Sequence, residues 1–171
     1  MNWYTTTVDS PCGPLICIVG EHGAVIRIEF GDGREARKVT GRMAAEGVEI
    51  VEDADRTAEV RRQLDEYFAG RRQEFDLPLA PRGTPFELSV WEHLRRIPFG
   101  ETRSYADVAR ALGKPAATRA VGRANGANPI PIVVPCHRVI GSNGSLTGFG
   151  GGLAAKARLL ELEGRSLPFS G

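Results

Sequence analysis

Apolar and polar residues alternate in the first part of the chain in a way that is typical of β-strands. Residues 3–8 are rich in β-forming side chains, and Leu15–Val19 is a short apolar run. Val25–Phe30 places apolar and charged residues at alternate positions, as a half-buried strand does. The glycine-containing stretch 20–23 has the composition of a hairpin connection. Together these segments predict a short antiparallel sheet.

The sheet is followed by a polar region and then by a helix. Residues 31–52 show no decisive period, so no element is predicted there. Apolar residues then recur at helical spacing up to Phe68, and Asp55 is a candidate cap for this helix. The stretch 76–83 holds two prolines and a glycine and is the predicted domain boundary. The predicted domains are 1–80 and 81–171.

The second half of the chain is predicted to be helical. Thr84 and Glu87 have the spacing of a capping box, with a proline at the first helical position between them. Ser104 begins a second, short helix. Two further helices are predicted at about 116–124 and 153–163.

The second and third of these helices meet across residues 113–115, a spacing that matches a helix-turn-helix. The later helix carries small residues and places Arg119 and Arg123 four positions apart on one side. It has almost no Asn or Gln to read base edges. The pattern therefore favours a protein that binds phosphates and DNA shape over a sequence-specific regulator. Solvated surface arginines remain the alternative interpretation.

Composition narrows the class of protein. The chain has 171 residues, of which 42% are hydrophobic and 25% charged, and this ordinary globular usage excludes a disordered, collagen-like or disulfide-dense chain. No apolar run approaches the ~20 residues of a membrane-spanning helix. Residues 1–10 lack a signal-peptide pattern, and three cysteines favour a reducing compartment. We therefore expect a cytoplasmic protein, in a bacterial cytosol or nucleoid, that makes no membrane contact.

The net charge of +1 conceals an uneven distribution. Residues 1–80 hold 10 Lys and Arg against 15 Asp and Glu, whereas residues 81–171 hold 12 against 6. Between positions 108 and 160 there are seven basic residues and no acidic one. This distribution favours an anionic partner for the second half, with nucleic acid as the first candidate. A solvated basic face would give the same counts.

The segment 128–139 carries the candidate chemistry. Its three prolines predict an extended, stiff path with buried apolar residues between them. The path leads to Cys136, which is flanked by His137 and Arg138. A cysteine beside a base and a cation is how a thiolate nucleophile is made. On an extended chain His137 needs a turn or a bridging water to act on Cys136, and an inert buried cysteine is the alternative.

Two further residues fit a site around this cysteine. Glu163 lies at the end of a predicted helix, where the helix dipole disfavours a negative charge, and it can accept a hydrogen bond from His137. A solvated glutamate is the alternative. Asn128 suits an Asx turn before a proline. Cys12 and Cys17 have no zinc-site spacing with the other histidines, so we interpret both as packing residues and expect no metal.

At these residues the sequence resembles the O6-alkylguanine-DNA alkyltransferases, also called methylated-DNA–protein-cysteine methyltransferases. The resemblance extends from about residue 84 to residue 164, and Asp9-Ser10-Pro11 near the start also fits. The motifs that carry it are Pro135-Cys136-His137-Arg138-Val139, Arg119-Ala120-Val121-Gly122, Asn128-Pro129, Ser104-Tyr105, and Leu159-Leu160 followed by Glu163-Gly164.

The resemblance implies both a fold and an activity. The fold is of the α/β (α+β) class, with a small RNase-H-like N-terminal domain and a mainly helical C-terminal domain that contains the helix-turn-helix. The partner is double-stranded DNA that carries O6-alkylguanine, bound through its minor groove with the damaged nucleotide flipped out. Cys136 takes the alkyl group irreversibly, once per molecule, without a cofactor. A monomer in solution is expected, and cooperative binding along DNA is left open.

The resemblance also implies roles for individual residues. The catalytic residues are Cys136, His137, Glu163, Asn128 and Tyr105. The DNA-binding residues are Arg119, which takes the place of the flipped nucleotide, and Lys114, Ser142, Tyr105, Ala120, Gly122 and Arg123. The substrate pocket consists of Val139, Lys156, Phe149, Gly150 and Pro131. The sequence departs from the family in having Phe149 where tyrosine is common and Thr118 where alanine is frequent.

Two other classes of function compete with this hypothesis. A pure DNA-binding module explains the basic half but not the cysteine centre and Glu163. A thiol hydrolase that uses Cys136 and His137 explains the cysteine but not a helix of small residues that bears Arg119.

Overall fold

The computed structural model describes residues 1–31, 34–146, 149 and 151–164. Two compact units divide the chain, Met1–Pro81 and Arg82–Gly171. Within the described ranges, no helix combines the length and the apolar character that a membrane span needs.

The first unit is a mixed sheet with two helices. Its strands are β1 (Asn2–Val8), β2 (Leu15–Val19), β3 (Val25–Phe30) and β4 (Glu49–Glu52), and its helices are α1 (Arg34–Ala45) and α2 (Ala58–Phe68). The strand order is β3-β2-β1-β4. The pairs β1–β2 and β2–β3 are antiparallel, as predicted, whereas β4 pairs in parallel with β1. One core cluster of this sheet consists of Trp3, Ile18, Ile26 and Val48.

The sequence prediction differs from the structure in two places of this unit. α1 and β4 both lie in the region 31–52, for which no element was predicted. Most of β4 is exposed, so it lacks the apolar alternation by which a strand is recognised. The residue before α2 is Thr57, and Asp55 is not its cap. Asp55 instead accepts the amide of Ala58 through its backbone carbonyl, at 3.3 Å.

The second unit is mainly helical, as predicted. It contains α3 (Pro85–Leu94), β5 (Arg103–Ser104), α4 (Tyr105–Ala111), α5 (Thr118–Gly126), β6 (Val139–Ile140) and α6 (Leu153–Leu162). Thr84 and Glu87 form the predicted capping box of α3. Ser104 caps α4 in the same way, together with Asp107. β5 and β6 form a short parallel pair.

The helix-turn-helix consists of α4 and α5, joined through a short 3₁₀ turn at Pro115–Ala117. α3 supports it from the side, because the indole Nε1 of Trp91 donates a buried hydrogen bond of 2.8 Å to the carbonyl oxygen of Ala124 in α5. Gly83 leaves room for this indole. A Cβ atom on Gly83 would lie 2.5 Å from Cη2 of Trp91, well inside van der Waals contact.

Candidate active site

The segment before the cysteine turns sharply. The extended path predicted from its prolines is wrong, since the amide of Val134 donates to the carbonyl oxygen of Ile130 at 2.9 Å. Ile132 has φ 73°, a left-handed conformation that costs about 1–3 kcal/mol at a β-branched residue. Its side chain is buried, as are those of Ile130 and Val133, which confirms the expected burial of these apolar residues.

The cysteine lies at the start of a second turn. Residues Cys136–Arg138 form a short 3₁₀ helix after Pro135. The chain is therefore not extended between Cys136 and His137. The turn that His137 needs in order to act on its neighbour is present in the backbone.

Two asparagines anchor this double turn. Asn128 donates from Nδ2 to the carbonyl oxygen of Val134 at 2.8 Å, and its Oδ1 accepts the amide of Ile130 at 3.0 Å. The second contact is the Asx turn predicted for Asn128. Asn125 in α5 donates from Nδ2 to the carbonyl oxygen of Cys136 at 3.3 Å. Helix α5 is thus bonded directly to the cysteine turn, Cys136–Arg138.

The Cys136 thiol is neutral at physiological pH. Its residue is 4% exposed, and burial raises the pKa of the thiol to about 11. The side chain of Asn128 and the charge of Lys156 act in the opposite direction on this pKa. The thiolate is the nucleophilic form, so Cys136 needs a base to take its proton during a reaction.

His137 has the protonation state and the contacts that such a base requires. Its Nε2 lies 2.8 Å from Oε2 of Glu163, and both residues are buried. Burial lowers the pKa of His137 despite the opposing effect of Glu163, so the imidazole is neutral. A carboxylate only accepts hydrogen bonds, so Nε2 carries the hydrogen and Nδ1 carries the lone pair. Among the described residues, Nδ1 has no hydrogen-bond partner.

The guanidinium of Arg138 binds the carboxylate of Glu163 rather than the thiol of Cys136. Its Nε and Nη2 donate to the two oxygens of Glu163 at 2.8 and 2.9 Å, and its Nη1 donates to the carbonyl oxygen of Ile97 at 2.7 Å. Burial acts to raise the pKa of Glu163, but the hydrogen bonds and charges of His137 and Arg138 hold it well below its usual range. The cation that acts on the thiol is Lys156, and not Arg138 as its position beside Cys136 suggested.

Lys156 is a fully buried cation on α6. Its Nζ donates to the carbonyl oxygen of Val139 at 2.6 Å and lies 5.9 Å from the ring centroid of Tyr105. Burial lowers the pKa of Lys156 to about 8, although Cys136 acts to raise it. The amine is therefore charged at neutral pH and close to losing its proton.

The residues predicted to bind DNA lie on and near the helix-turn-helix. Arg119, Arg123, Lys114 and Ser142 are exposed, whereas Ala120, Gly122 and Tyr105 are half-buried. Tyr105 packs beside the open surface of Gly122, where a Cβ atom would lie 3.9 Å from its Cδ1. The ammonium group of Lys114 lies 5.3 Å from the ring centroid of Phe86.

The residues predicted to line the pocket differ in how deeply they are buried. Pro131 and Val139 are buried beside the cysteine turn, and Phe149 is half-buried. Gly150 lies outside the described residues. Asn125 is buried and bonded to the cysteine turn, but it was not among the predicted site residues. It lies one helical turn after the buried Val121, so a polar residue on the apolar side of α5 was the available signal.

The sequence of this chain matches known families and individual proteins. Residues 3–81 match the ribonuclease-like domain of 6-O-methylguanine DNA methyltransferases, and residues 85–165 match the DNA-binding domain of the same family. A methylated-DNA–protein-cysteine methyltransferase of Methanosarcina acetivorans is 45% identical over 94% of this chain and 98% of its own length. A constitutive one of Bacillus subtilis is 46% identical over 95% of this chain and 96% of its own length.

Solved structures agree with these matches. The Mycobacterium tuberculosis O6-methylguanine methyltransferase superposes with a TM-score of 0.82 at 42% identity, over 98% of this chain and 96% of its own. A structure of the M. tuberculosis protein in complex with DNA has a TM-score of 0.79 at 42% identity, over 95% of this chain and 92% of its own.

Proposed function

The chain belongs to the 6-O-methylguanine DNA methyltransferase family and is a DNA repair methyltransferase, and we propose that it removes the alkyl group of O6-alkylguanine onto its own Cys136. The observation that carries this assignment is the buried His137–Glu163 pair, 2.8 Å apart, whose imidazole directly follows Cys136 in one turn. The pair supplies a neutral base for a thiol that is otherwise protonated.

The transfer is a single displacement in which atoms and charge balance. The Cys136 proton passes to Nδ1 of His137 by way of water, and the resulting imidazolium is stabilised by the Glu163 carboxylate. The sulfur then forms a bond to the alkyl carbon as the bond between that carbon and O6 breaks. The electron pair of the broken bond stays on the guanine, which takes a proton at N1 from solvent, and the His137 imidazolium returns its proton to solvent. Tyr105 contacts the base and helps to neutralise this leaving group.

The helix-turn-helix supplies the DNA contacts in this proposal. DNA is the partner, and we place α5 in its minor groove because its small residues allow close approach while Arg119 and Arg123 are exposed. Arg119 fills the gap that the flipped nucleotide leaves in the stack. Lys114 and Ser142, which are also exposed, contact the phosphates. The protein acts as a monomer on chromosomal DNA in the cytoplasm or nucleoid.

Peptide mass analysis tests the assignment directly. The full chain is incubated with duplex DNA that carries one O6-methylguanine and is then digested. We expect one methyl group on the peptide that contains Cys136 and none on those of Cys12 and Cys17, which serve as controls within the same molecule. Cys136→Ala should bind the duplex with unchanged affinity and leave the damage in place. Intact DNA binding with an unmodified Cys136 would overturn the assignment.

A further inference from the structure

Two buried polar atoms next to the cysteine turn have no hydrogen-bond partner among the residues that the structure describes. One is Nδ1 of His137 and the other is Oδ1 of Asn125, whose residue is 2% exposed. Buried polar atoms in native proteins are nearly always hydrogen-bonded, and ordered water is the usual partner where protein groups are missing. Each of the two atoms therefore needs a small polar partner such as water.

The residues that carry these two atoms meet at one peptide group, the one between Cys136 and His137. Nδ2 of Asn125 is 3.3 Å from the carbonyl oxygen of Cys136, and that carbonyl carbon is bonded to the backbone nitrogen of His137. The same hydrogen bond fixes the orientation of the amide, because the opposite orientation would set its oxygen against the Cys136 carbonyl. Oδ1 is thus an acceptor that points away from the Cys136 carbonyl.

Both unpartnered atoms are acceptors, which determines what can bind between them. The Glu163 carboxylate keeps the hydrogen of His137 on Nε2, so Nδ1 presents a lone pair. A water molecule has two hydrogens for two acceptors. Its oxygen then has lone pairs left for a third group, and the Cys136 thiol, on the residue before His137 in the same turn, is the donor whose proton must leave.

We propose that Asn125 is a positioning residue that holds the relay water, with Oδ1 of Asn125 and Nδ1 of His137 each accepting one hydrogen from it. The inference rests on the proposed function, since it concerns the proton that leaves Cys136. The thiol hydrogen passes to the water oxygen, and a water hydrogen passes to Nδ1 of His137. The sulfur keeps its electron pair for the alkyl carbon. Asn125 exchanges no proton and acts through the orientation of the water.

The rival explanation is that Asn125 only clamps the turn through Nδ2. Two substitutions separate the explanations. Asn125→Leu is close in volume and removes both polar atoms, whereas Asn125→Asp keeps an acceptor and loses the donor to the Cys136 carbonyl. Asn2→Leu, at an exposed position of β1 in the other unit, is the matched control.

The measurement is the single-turnover rate constant for methyl transfer from duplex DNA between pH 6 and 9. We expect Asn125→Leu to lower it about 10- to 100-fold at pH 7, which is part of the ~10²–10⁴-fold that positioned proton transfer provides. The remaining rate should rise with pH throughout, because the thiol then ionises without His137. Asn125→Asp should keep more of the rate than Asn125→Leu, and Asn2→Leu should match the original protein.

A clamp alone predicts a different result. It lowers the rate at every pH without changing the shape of the profile, and it makes Asn125→Asp at least as impaired as Asn125→Leu. Either finding overturns the proposal. DNA affinity and circular dichroism show whether each variant is folded. If Asn125→Leu does not fold, a crystal structure of the unsubstituted protein decides.

A high-resolution crystal structure of the unsubstituted protein gives a second, independent readout. We expect one ordered water within about 3.2 Å of both Oδ1 of Asn125 and Nδ1 of His137. A site where no water bridges these atoms would overturn the inference. Failure of the proposed function would look different, because the unsubstituted protein would then leave Cys136 unmethylated while the bridging water could still be present.

Discussion

Oε2 of Glu163 lies 2.8 Å from Nε2 of His137, and the same carboxylate receives two hydrogen bonds from the guanidinium of Arg138. One buried acid therefore serves two functions. It fixes the tautomer of the base, and it neutralises a cation that is itself buried. Glu163 follows the last residue of α6, so the end of that helix and the cysteine turn are joined through these contacts.

Glu163→Gln should impair both stability and methyl transfer. The substitution keeps the shape of the side chain but leaves the buried Arg138 without its counter-charge, and breaking a buried pair costs about 3 kcal/mol or more. The pKa of Glu163 is lowered in the folded protein, so its stabilising charge is complete above the unfolded value of about 4.3 and is lost as the pH falls towards the folded value. Urea unfolding at pH 7 and in acid checks this prediction, and an equal difference at both would contradict it.

Lys156→Met should slow methyl transfer at pH 7 and matter less at higher pH. The charge of Lys156 lowers the pKa of Cys136, so its removal makes the thiol harder to ionise. In the original protein that charge is lost above about pH 8, where the amine gives up its proton. The ratio of the two rate constants should therefore shrink from pH 7 to pH 9. Arg158→Met, at an exposed position of the same helix, is the control and should give a ratio near unity at each pH.

Gly83→Ala should destabilise the protein although alanine is usually the better residue. A Cβ atom at this position would lie 2.5 and 2.6 Å from two ring carbons of Trp91, and overpacking of this kind costs about 1–3 kcal/mol. Gly41→Ala in α1 meets no atom within 4 Å and should stabilise the protein by about 0.5–1 kcal/mol. Chemical denaturation of both variants tests the pair, and a neutral Gly83→Ala would show that Trp91 can move.

Arg119→Ala should slow repair of duplex DNA but not the reaction with a free nucleobase. If Arg119 stabilises the flipped state, its loss leaves the unstacking energy of a few kcal/mol uncompensated. The rate should then fall about tenfold or more. A free O6-alkylguanine base needs no flipping and should react at an unchanged rate. Single-turnover assays with both substrates distinguish these cases. An equal fall in the rate with duplex DNA and with the free base would contradict this prediction and would mean that Arg119 shapes the substrate pocket.

Elements with local signals could be predicted from the sequence. The capping box at Thr84 and the helix start at Ser104 were predicted because the residues that form each cap are three positions apart, within one short window. The same holds for the alternating strand Val25–Phe30. The cysteine, its histidine and Glu163 were found as candidates by residue type, and their 2.8 Å contact required the fold.

Features that depend on distant contacts could not be predicted. The proline-rich segment turns at Ile132 because packing and hydrogen bonds outweigh the local preference for an extended chain. Arg138 is beside Cys136 in sequence, yet its guanidinium reaches Ile97 and Glu163, which are 41 and 25 positions away. The cation that acts on the thiol is Lys156, which lies on α6. Its distance from Cys136 in sequence hid this effect.

The buried Lys156 also determines the charge balance of the reaction. In the resting cluster Arg138 and Glu163 carry opposite charges, the thiol and the imidazole are neutral, and the charge of Lys156 lowers the pKa of the Cys136 thiol. Methyl transfer moves one negative charge from the sulfur side of the cluster to the oxygen of guanine. Because the ammonium group of Lys156 is already in place before the reaction begins, it stabilises that negative charge as the charge develops.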